Sequence, residues 1–120
     1  MDAFELGFFA IPVLDLEEAK AFYGEVMGWT FNDRDSNFSY ILANEKMIGA
    51  FEIATKTLKP SQFGSLLYFR ADFMGKTLER VAKFGGAVVE RQALEGGARG
   101  YTARVEDPSM NVIGFWAAED

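Results

Sequence analysis

The hydrophobic and polar positions of this chain follow two alternating periods, and the same succession occurs twice. Phe4 to Val13 is rich in Phe, Ile and Val and predicts a strand, with Pro12 at a sheet edge or strand end because it has no ladder hydrogen to donate. Asp15-Leu16-Glu17-Glu18 then reads as a helix start. Asp15 caps free amide hydrogens and Glu18 stands at the capping-box position. Leu16, Ala19, Phe22, Tyr23 and Val26 recur at helical spacing, and Gly28 ends the helix in the left-handed conformation. Alternation and turn residues predict strands at about 29–34, 37–43 and 47–53. After a connection from Ala54 to Gly64 the order repeats. Ser65 to Ala71 reads as a strand and Asp72 as the cap of a helix through Lys83, with Phe73, Leu78, Val81, Ala82 and Phe84 on its buried face. Gly85-Gly86 is the stop. Strands follow at Ala87 to Gln92, Tyr101 to Glu106 and Val112 to Ala117, with a loop at Glu95 to Ala98 and a turn at Asp107 to Asn111.

Asp15 and Asp72 are 57 positions apart, as are Gly28 and Gly85. A fixed offset means one supersecondary unit used twice. The reading is therefore βαβββ–βαβββ, with halves at about 1–57 and 58–120. It predicts an α+β domain in which helices cover one face of a curved, barrel-like mixed sheet and the other face forms a cleft.

Composition narrows the function. The 120 residues suit one domain with one core. A net charge of −6 argues against nucleic acid, whose phosphates need clustered Lys and Arg. There is no cysteine, hence no disulfide, thiolate nucleophile or cysteine-held metal, in keeping with a cytoplasmic protein. There is no histidine, hence no Ser-His or Cys-His arrangement. No apolar run is long enough for a membrane span, and the acidic N-terminal stretch is not a signal peptide. The glycines at 85–86 and 96–97 fit neither a phosphate loop nor a dinucleotide fingerprint. Aromatic residues are plentiful, including 12 Phe, and serve a packed core, a ligand pocket or both.

Three stretches resemble the vicinal oxygen chelate superfamily of glyoxalase I, bleomycin-resistance proteins and extradiol dioxygenases. Ile11-Pro12-Val13-Leu14-Asp15 with Ala19 to Tyr23 and Gly28-Trp29 resembles the family's opening. Gly85-Gly86-Ala87-Val88 resembles its "GGxV". Asp107-Pro108, Asn111 and Phe115-Trp116 resemble its closing "DPxGNxxxFW". Met110 departs from this pattern, standing where the family usually has Gly, which bears on the turn's geometry and not on the fold.

The resemblance implies paired modules around a cleft, and in metal-dependent members a divalent ion held by four side chains on four strands. Those positions here are Phe8, Glu52, Leu66 and Gly114, of which only Glu52 offers a ligand atom. The expectation is a chain without the family's metal and without a cofactor. Strand alternation adds Tyr68, Arg70, Thr102, Arg104 and Trp116 to the cleft wall. Glu52 is then an ion-pair partner of Arg70 or Arg104, a ligand-binding carboxylate, or a general base, the one catalytic candidate.

The preferred reading is a small-molecule-binding protein for an aromatic or charged ligand. One alternative is a glyoxalase-like lyase or isomerase, or a dioxygenase-like enzyme, using Glu52. The other is an interaction module whose cleft is filled by its own rings. The resemblance also implies a homodimer.

Overall fold

In the computed structural model, which describes residues 3–56, 58–61 and 64–120, the chain forms two four-stranded sheets, each served by one helix. The first module comprises β1 (Phe9–Val13), α1 (Leu16–Met27), β2 (Thr30–Asp35), β3 (Phe38–Ala43) and β4 (Lys46–Ile53). The second comprises β5 (Tyr68–Phe73), α2 (Met74–Lys83), β6 (Ala87–Ala93), β7 (Tyr101–Glu106) and β8 (Val112–Glu119). The orders, β1-β4-β3-β2 and β5-β8-β7-β6, are the same, and in each sheet the first strand lies parallel to the last while the other pairs are antiparallel. The result is an α+β fold of two mixed sheets. Phe63 and the neighbouring Gln62 lie outside the described residues, as does Thr57 in the connection.

Two strands start later than the sequence reading has them, and both shifts change side-chain roles. β1 starts at Phe9, so Phe4, Leu6 and Phe8 precede the strand with exposed rings and aliphatic groups. β5 starts at Tyr68 rather than Ser65.

The second helix also begins later than Asp72 suggests. Its N-cap is Phe73, which makes no side-chain capping bond, whereas Asp15 caps α1 by accepting from Glu18 N–H at 2.9 Å. The helices start at Leu16 and Met74, so the strand-helix unit repeats with an offset of 58, and the 57 of the aspartates holds only at the helix-ending glycines and the start of the strand that follows them. The shift re-phases α2. Met74, Thr77, Leu78 and Val81 are buried, while Phe73 and Ala82 are exposed.

The helices cover one face of each sheet. Ile11, Val13, Ile41 and Phe51 of the first sheet and Ala103, Val105, Ile113 and Phe115 of the second join the buried helix faces in one core. Tyr23 sits at its centre, stacked on Trp29 at 5.2 Å and edge-on to Phe22 at 5.0 Å. Phe9, Trp29 and Phe69 bring the modules together, with Phe69 centred 5.6 Å from Phe9 and 5.2 Å from Trp29. Phe9 needs the bare backbone of Gly49 opposite it, because a Cβ there would stand 2.5 Å from the Phe9 carbonyl and 2.9 Å from its ring.

The second tie between modules is polar and buried. Tyr23 Oη donates to Asp107 Oδ2 at 2.7 Å, across 84 residues of sequence. Asp107 also accepts from the Ser109 and Asn111 amides and from Asn111 Nδ2. Asn111 Nδ2 further donates to the Pro12 carbonyl at 2.7 Å, and Leu14 N–H donates to Ser109 Oγ at 2.9 Å. The turn thus satisfies the end of β1. Met110 occupies the left-handed region at φ 71°, the conformation that explains why glycine suits this place.

Burial pushes the Asp107 carboxyl above its ordinary range, against the pull of the hydrogen bonds from Tyr23, Asn111 and Ser109. Tyr23 is held well above the usual phenol range by burial and the neighbouring carboxylate. Tyr23→Phe is expected to lower stability by about 1–2 kcal/mol in urea unfolding, since it strips a donor from a buried carboxylate. The raised Asp107 pKa also sets a sign. As pH falls the folded chain takes up this proton before the unfolded chain does. Asp107's contribution therefore grows as pH drops towards its ordinary value of 3.8 and is lost as pH rises through the folded pKa. The stability gap between the native chain and Asp107→Asn should widen from neutral pH to about pH 4. A constant gap in urea titrations would contradict this.

Candidate functional site

The faces turned away from the helices carry the candidate site, and strand register arranges them in rows. On the second sheet Tyr68 pairs with Gly114, Gly114 with Arg104 and Arg104 with Glu90, so these four stand side by side across β5, β8, β7 and β6. The next row is Arg70, Trp116, Thr102 and Gln92. On the first sheet the corresponding rows are Ala10, Ala50, Tyr40 and Asn32, and Pro12, Glu52 and Phe38.

Gly114 organises the first of these rows. A Cβ at Gly114 would lie 2.6 Å from the Tyr68 ring, so the ring rests on the bare glycine backbone. Lying flat, Tyr68 reaches across β8, and its hydroxyl accepts from Arg104 Nε at 3.0 Å. That bond, with the phenol and Glu90 nearby, keeps the guanidinium more firmly charged. Arg104 Nη1 stands 4.0 Å from Glu90 Oε2, at the limit of an ion pair. In the second row Arg70 lies over the Trp116 indole with its guanidinium carbon 5.2 Å from the ring centre, a cation–π contact. Trp116 Nε1 donates to the Arg99 carbonyl at 3.2 Å, and its ring lies close to Gly100.

The structure thus brings Tyr68, Arg70, Thr102, Arg104, Gly114 and Trp116 together on one face. Glu52 belongs to the other sheet, half-buried, beside Pro12 and Phe38. Among the described residues it makes no ion pair. Arg104 turns instead to Tyr68 and Glu90, and Arg70 to Trp116. Phe8 and Leu66 both lie just before the first strands of their modules, Phe8 exposed and Leu66 half-buried.

Three contributors to these faces escaped the sequence reading. Phe38 and Tyr40 pack edge-on at 5.0 Å on the outer side of β3, with the Arg34 guanidinium 3.9 Å from the Phe38 ring centre. Their signal was the alternation in Phe38-Ser39-Tyr40-Ile41, whose Ser39 and Ile41 are fully buried on the helix side. Glu90 was hidden because every residue of β6 is exposed, which leaves no inward-outward contrast.

The donor set does not fit a divalent ion. Phe8, Leu66 and Gly114 supply no ligand atom, the Tyr68 ring covers the Gly114 backbone, and Glu52 alone is one carboxylate where several ligands are needed. Among the described residues no three His, Cys, Asp or Glu side chains gather closely enough to hold a metal. No helix among them is long and apolar enough to cross a membrane.

Solved structures with this fold are numerous. A glyoxalase/bleomycin resistance protein/dioxygenase family enzyme from Burkholderia phytofirmans superposes with a TM-score of 0.76 at 19% identity, covering 95% of this chain and 98% of that one. The fosfomycin resistance protein FosX from Mesorhizobium loti does so at 0.68 and 17%, covering 98% and 92%. TnmS3, an antibiotic binding protein from a Streptomyces species, is 26% identical over 98% of both chains with a TM-score of 0.67. No curated protein sequence matches significantly. The sequence model of the Glyoxalase/Bleomycin resistance protein/Dioxygenase superfamily matches residues 5–115, and the chain therefore belongs to that superfamily.

Proposed function

We propose that this chain is a small-molecule-binding protein of its superfamily, working without the family's metal centre and acting by binding rather than by catalysis. The observation that carries the reading is the Tyr68–Gly114 contact. At a place where the family resemblance expects a metal ligand, the chain has a glycine under an aromatic ring. Around it stand an indole, a phenol and two guanidiniums, a composition suited to stacking on a planar ligand and holding one polar group. The 26% identity to an antibiotic binding protein supports the same direction.

On this reading the ligand is aromatic, carries charge, and lies between the outer faces of the two modules. These faces are open in the single chain, since Tyr68 is 45% exposed and Arg70 is exposed too. A second copy of the chain would close them, which is the basis for proposing a homodimer. The domain is then one ligand-binding unit of two modules, cytoplasmic in keeping with its lack of cysteine.

Glu52 supports a second reading. A half-buried carboxylate with no ion-pair partner among the described residues is available as a general base for a lyase, isomerase or dioxygenase-like reaction. The readings separate cleanly. Under the binding reading, protein purified without chelator carries no stoichiometric divalent ion, and Glu52→Gln does not change its metal content. A stoichiometric ion lost in Glu52→Gln would favour the enzyme.

Binding itself is tested by a thermal-shift screen of planar aromatic, cationic and carboxylate compounds. A ligand at a hundredfold excess over its Kd is expected to stabilise the chain by about 2.7 kcal/mol, a rise of roughly 10 °C for a domain of this size. Trp116→Ala should abolish the rise while remaining folded. A screen in which no compound shifts the native chain, or in which Trp116→Ala responds as the native chain does, would remove the support for this site. Sedimentation is expected to give a dimer at micromolar concentration, and a clean monomer would refute the shared cleft.

A further inference from the structure

The two modules are related by a repeat, yet they end differently on the helix side. In one half the gap between the first strand and the neighbouring helix end is plugged by the 107–111 turn. Its Ser109 accepts from Leu14 N–H, its Asn111 donates to the Pro12 carbonyl, and its Pro108 packs against Gly85, where a Cβ would lie 3.8 Å from the proline ring. The other half has the same frame and no plug. The turn between β3 and β4 is only Asn44 and Glu45, too short to reach in. Nothing lies within 4 Å of where a Cβ would stand on Gly28, the counterpart of Gly85.

What remains is a groove of about 860 Å³ between the C-terminal end of α1 and the β5–α2 corner. Its lining includes the counterparts of the plugged half, namely Gly28 for Gly85, Arg70 for Pro12, Asp72 for Leu14 and Arg80 for Phe22. The groove is also chemically distinct from its plugged twin. Arg70, Lys76 and Arg80 line it, and among the described residues none of the three has a carboxylate within ion-pair distance. The ion-paired cations are Lys20, Arg34, Arg91, Arg99 and Arg104. In a chain of net charge −6, three cations without an ion-pair partner in one groove are a local reversal of sign, although Arg70 lies over Trp116 and Lys76 over the Phe73 ring. Glu25 and Asp72 also line it, so the net positive balance is small. Trp29, Phe69 and Phe73 supply an apolar wall.

The geometry points to this groove as a second binding site, separate from the outer sheet faces, for a small aromatic monocarboxylate. The ligand's carboxylate pairs with Arg80 and Lys76, as the Asp107 carboxylate serves buried donors in the plugged half. Its flat body occupies the space that the 107–111 turn fills on the other side. A singly charged acid suits three cations opposed by two carboxylates, whereas a polyphosphate would meet Glu25 and Asp72 at close quarters. Arg70, which also lies over Trp116, stands on the rim shared with the outer face.

The probe is 2-naphthoate, titrated into the intact protein and followed by calorimetry and by amide chemical shifts. Saturable binding is expected, with shifts at Gly28, Lys76, Thr77 and Arg80. Arg80→Glu and, separately, Lys76→Glu should each weaken binding by about tenfold or more, since each turns an attraction into a repulsion. Both positions are exposed, so the variants should fold as the native chain does. The neutral analogue 2-naphthalenemethanol should bind at least about tenfold more weakly. Three results would each overturn the site: no saturable binding at millimolar 2-naphthoate, shifts confined to Tyr68, Arg104 and Trp116, or an affinity unchanged by Arg80→Glu. The last two would leave the outer-face reading standing, so the two sites fail separately.

Discussion

The fold depends on a short acidic turn that one module lends to the other. Asp107 lies at the end of β7, buried, with four donors aimed at its two oxygens. Three of the four come from its own turn, and the two backbone amides among them fix that turn's shape. The Tyr23 hydroxyl arrives from α1 in the other module, and Asn111, which also bonds Asp107, reaches back to β1. A buried carboxylate costs several kcal/mol unless it is fully hydrogen-bonded, so the contacts support one another and no single one is optional. The aromatic contacts of Phe9, Trp29 and Phe69 add area to the same junction, but they are less directional and would tolerate sliding. The polar turn sets the position at which the two sheets meet.

Much of this was legible in the chain. Asp15 as a cap, Gly28 as a left-handed stop, and the order of strands and helices all follow from local rules, and the structure has them. The second helix start was misread for a physical reason. Asp72 is a good capping residue by type, but β5 extends through it to Phe73, and ladder pairing with β8 outweighs a cap worth about 1 kcal/mol. Gly75 N–H is served instead by the carbonyl of Asp120, a contact that no local pattern announces. The repeat was visible, whereas its one-residue change of offset was not, because that change lies between a strand-helix unit and its glycine stop.

The outer faces were legible in part. Alternation placed Tyr68, Arg70, Thr102, Arg104 and Trp116 on one side of the sheet, and register agrees. Alternation cannot show which strands are neighbours, so the partners of each charge were beyond its reach. Glu52 and Arg104 looked like an ion pair in waiting, but they lie in different sheets, and Arg104 has nearer company in Tyr68 and Glu90. The role of Gly114 was equally hidden. A glycine in a strand interior weakens the strand in isolation and is explained only by what lies over it. Here that is a tyrosine ring from the adjacent parallel strand.

Gly114 and Gly49 together show how the duplicated frame was put to unequal use. Each is a glycine in the last strand of its module, overlain by an aromatic residue from the first strand. At Gly49 the ring is Phe9 on the helix side, and it closes the core between the modules. At Gly114 the ring is Tyr68 on the outer side, where it stays half exposed and carries a hydroxyl towards Arg104. The same device, a missing Cβ filled by a neighbouring ring, builds the interior in one module and a polar-tipped aromatic surface in the other. A packing glycine can be exchanged only for strain, because the ring above has nowhere to go. A glycine under an exposed tyrosine is less constrained, since the half-exposed ring has solvent on its other side. The asymmetry places the chain's capacity for adjustment on the face where the ligand is proposed to bind and its rigidity at the seam that holds the modules together.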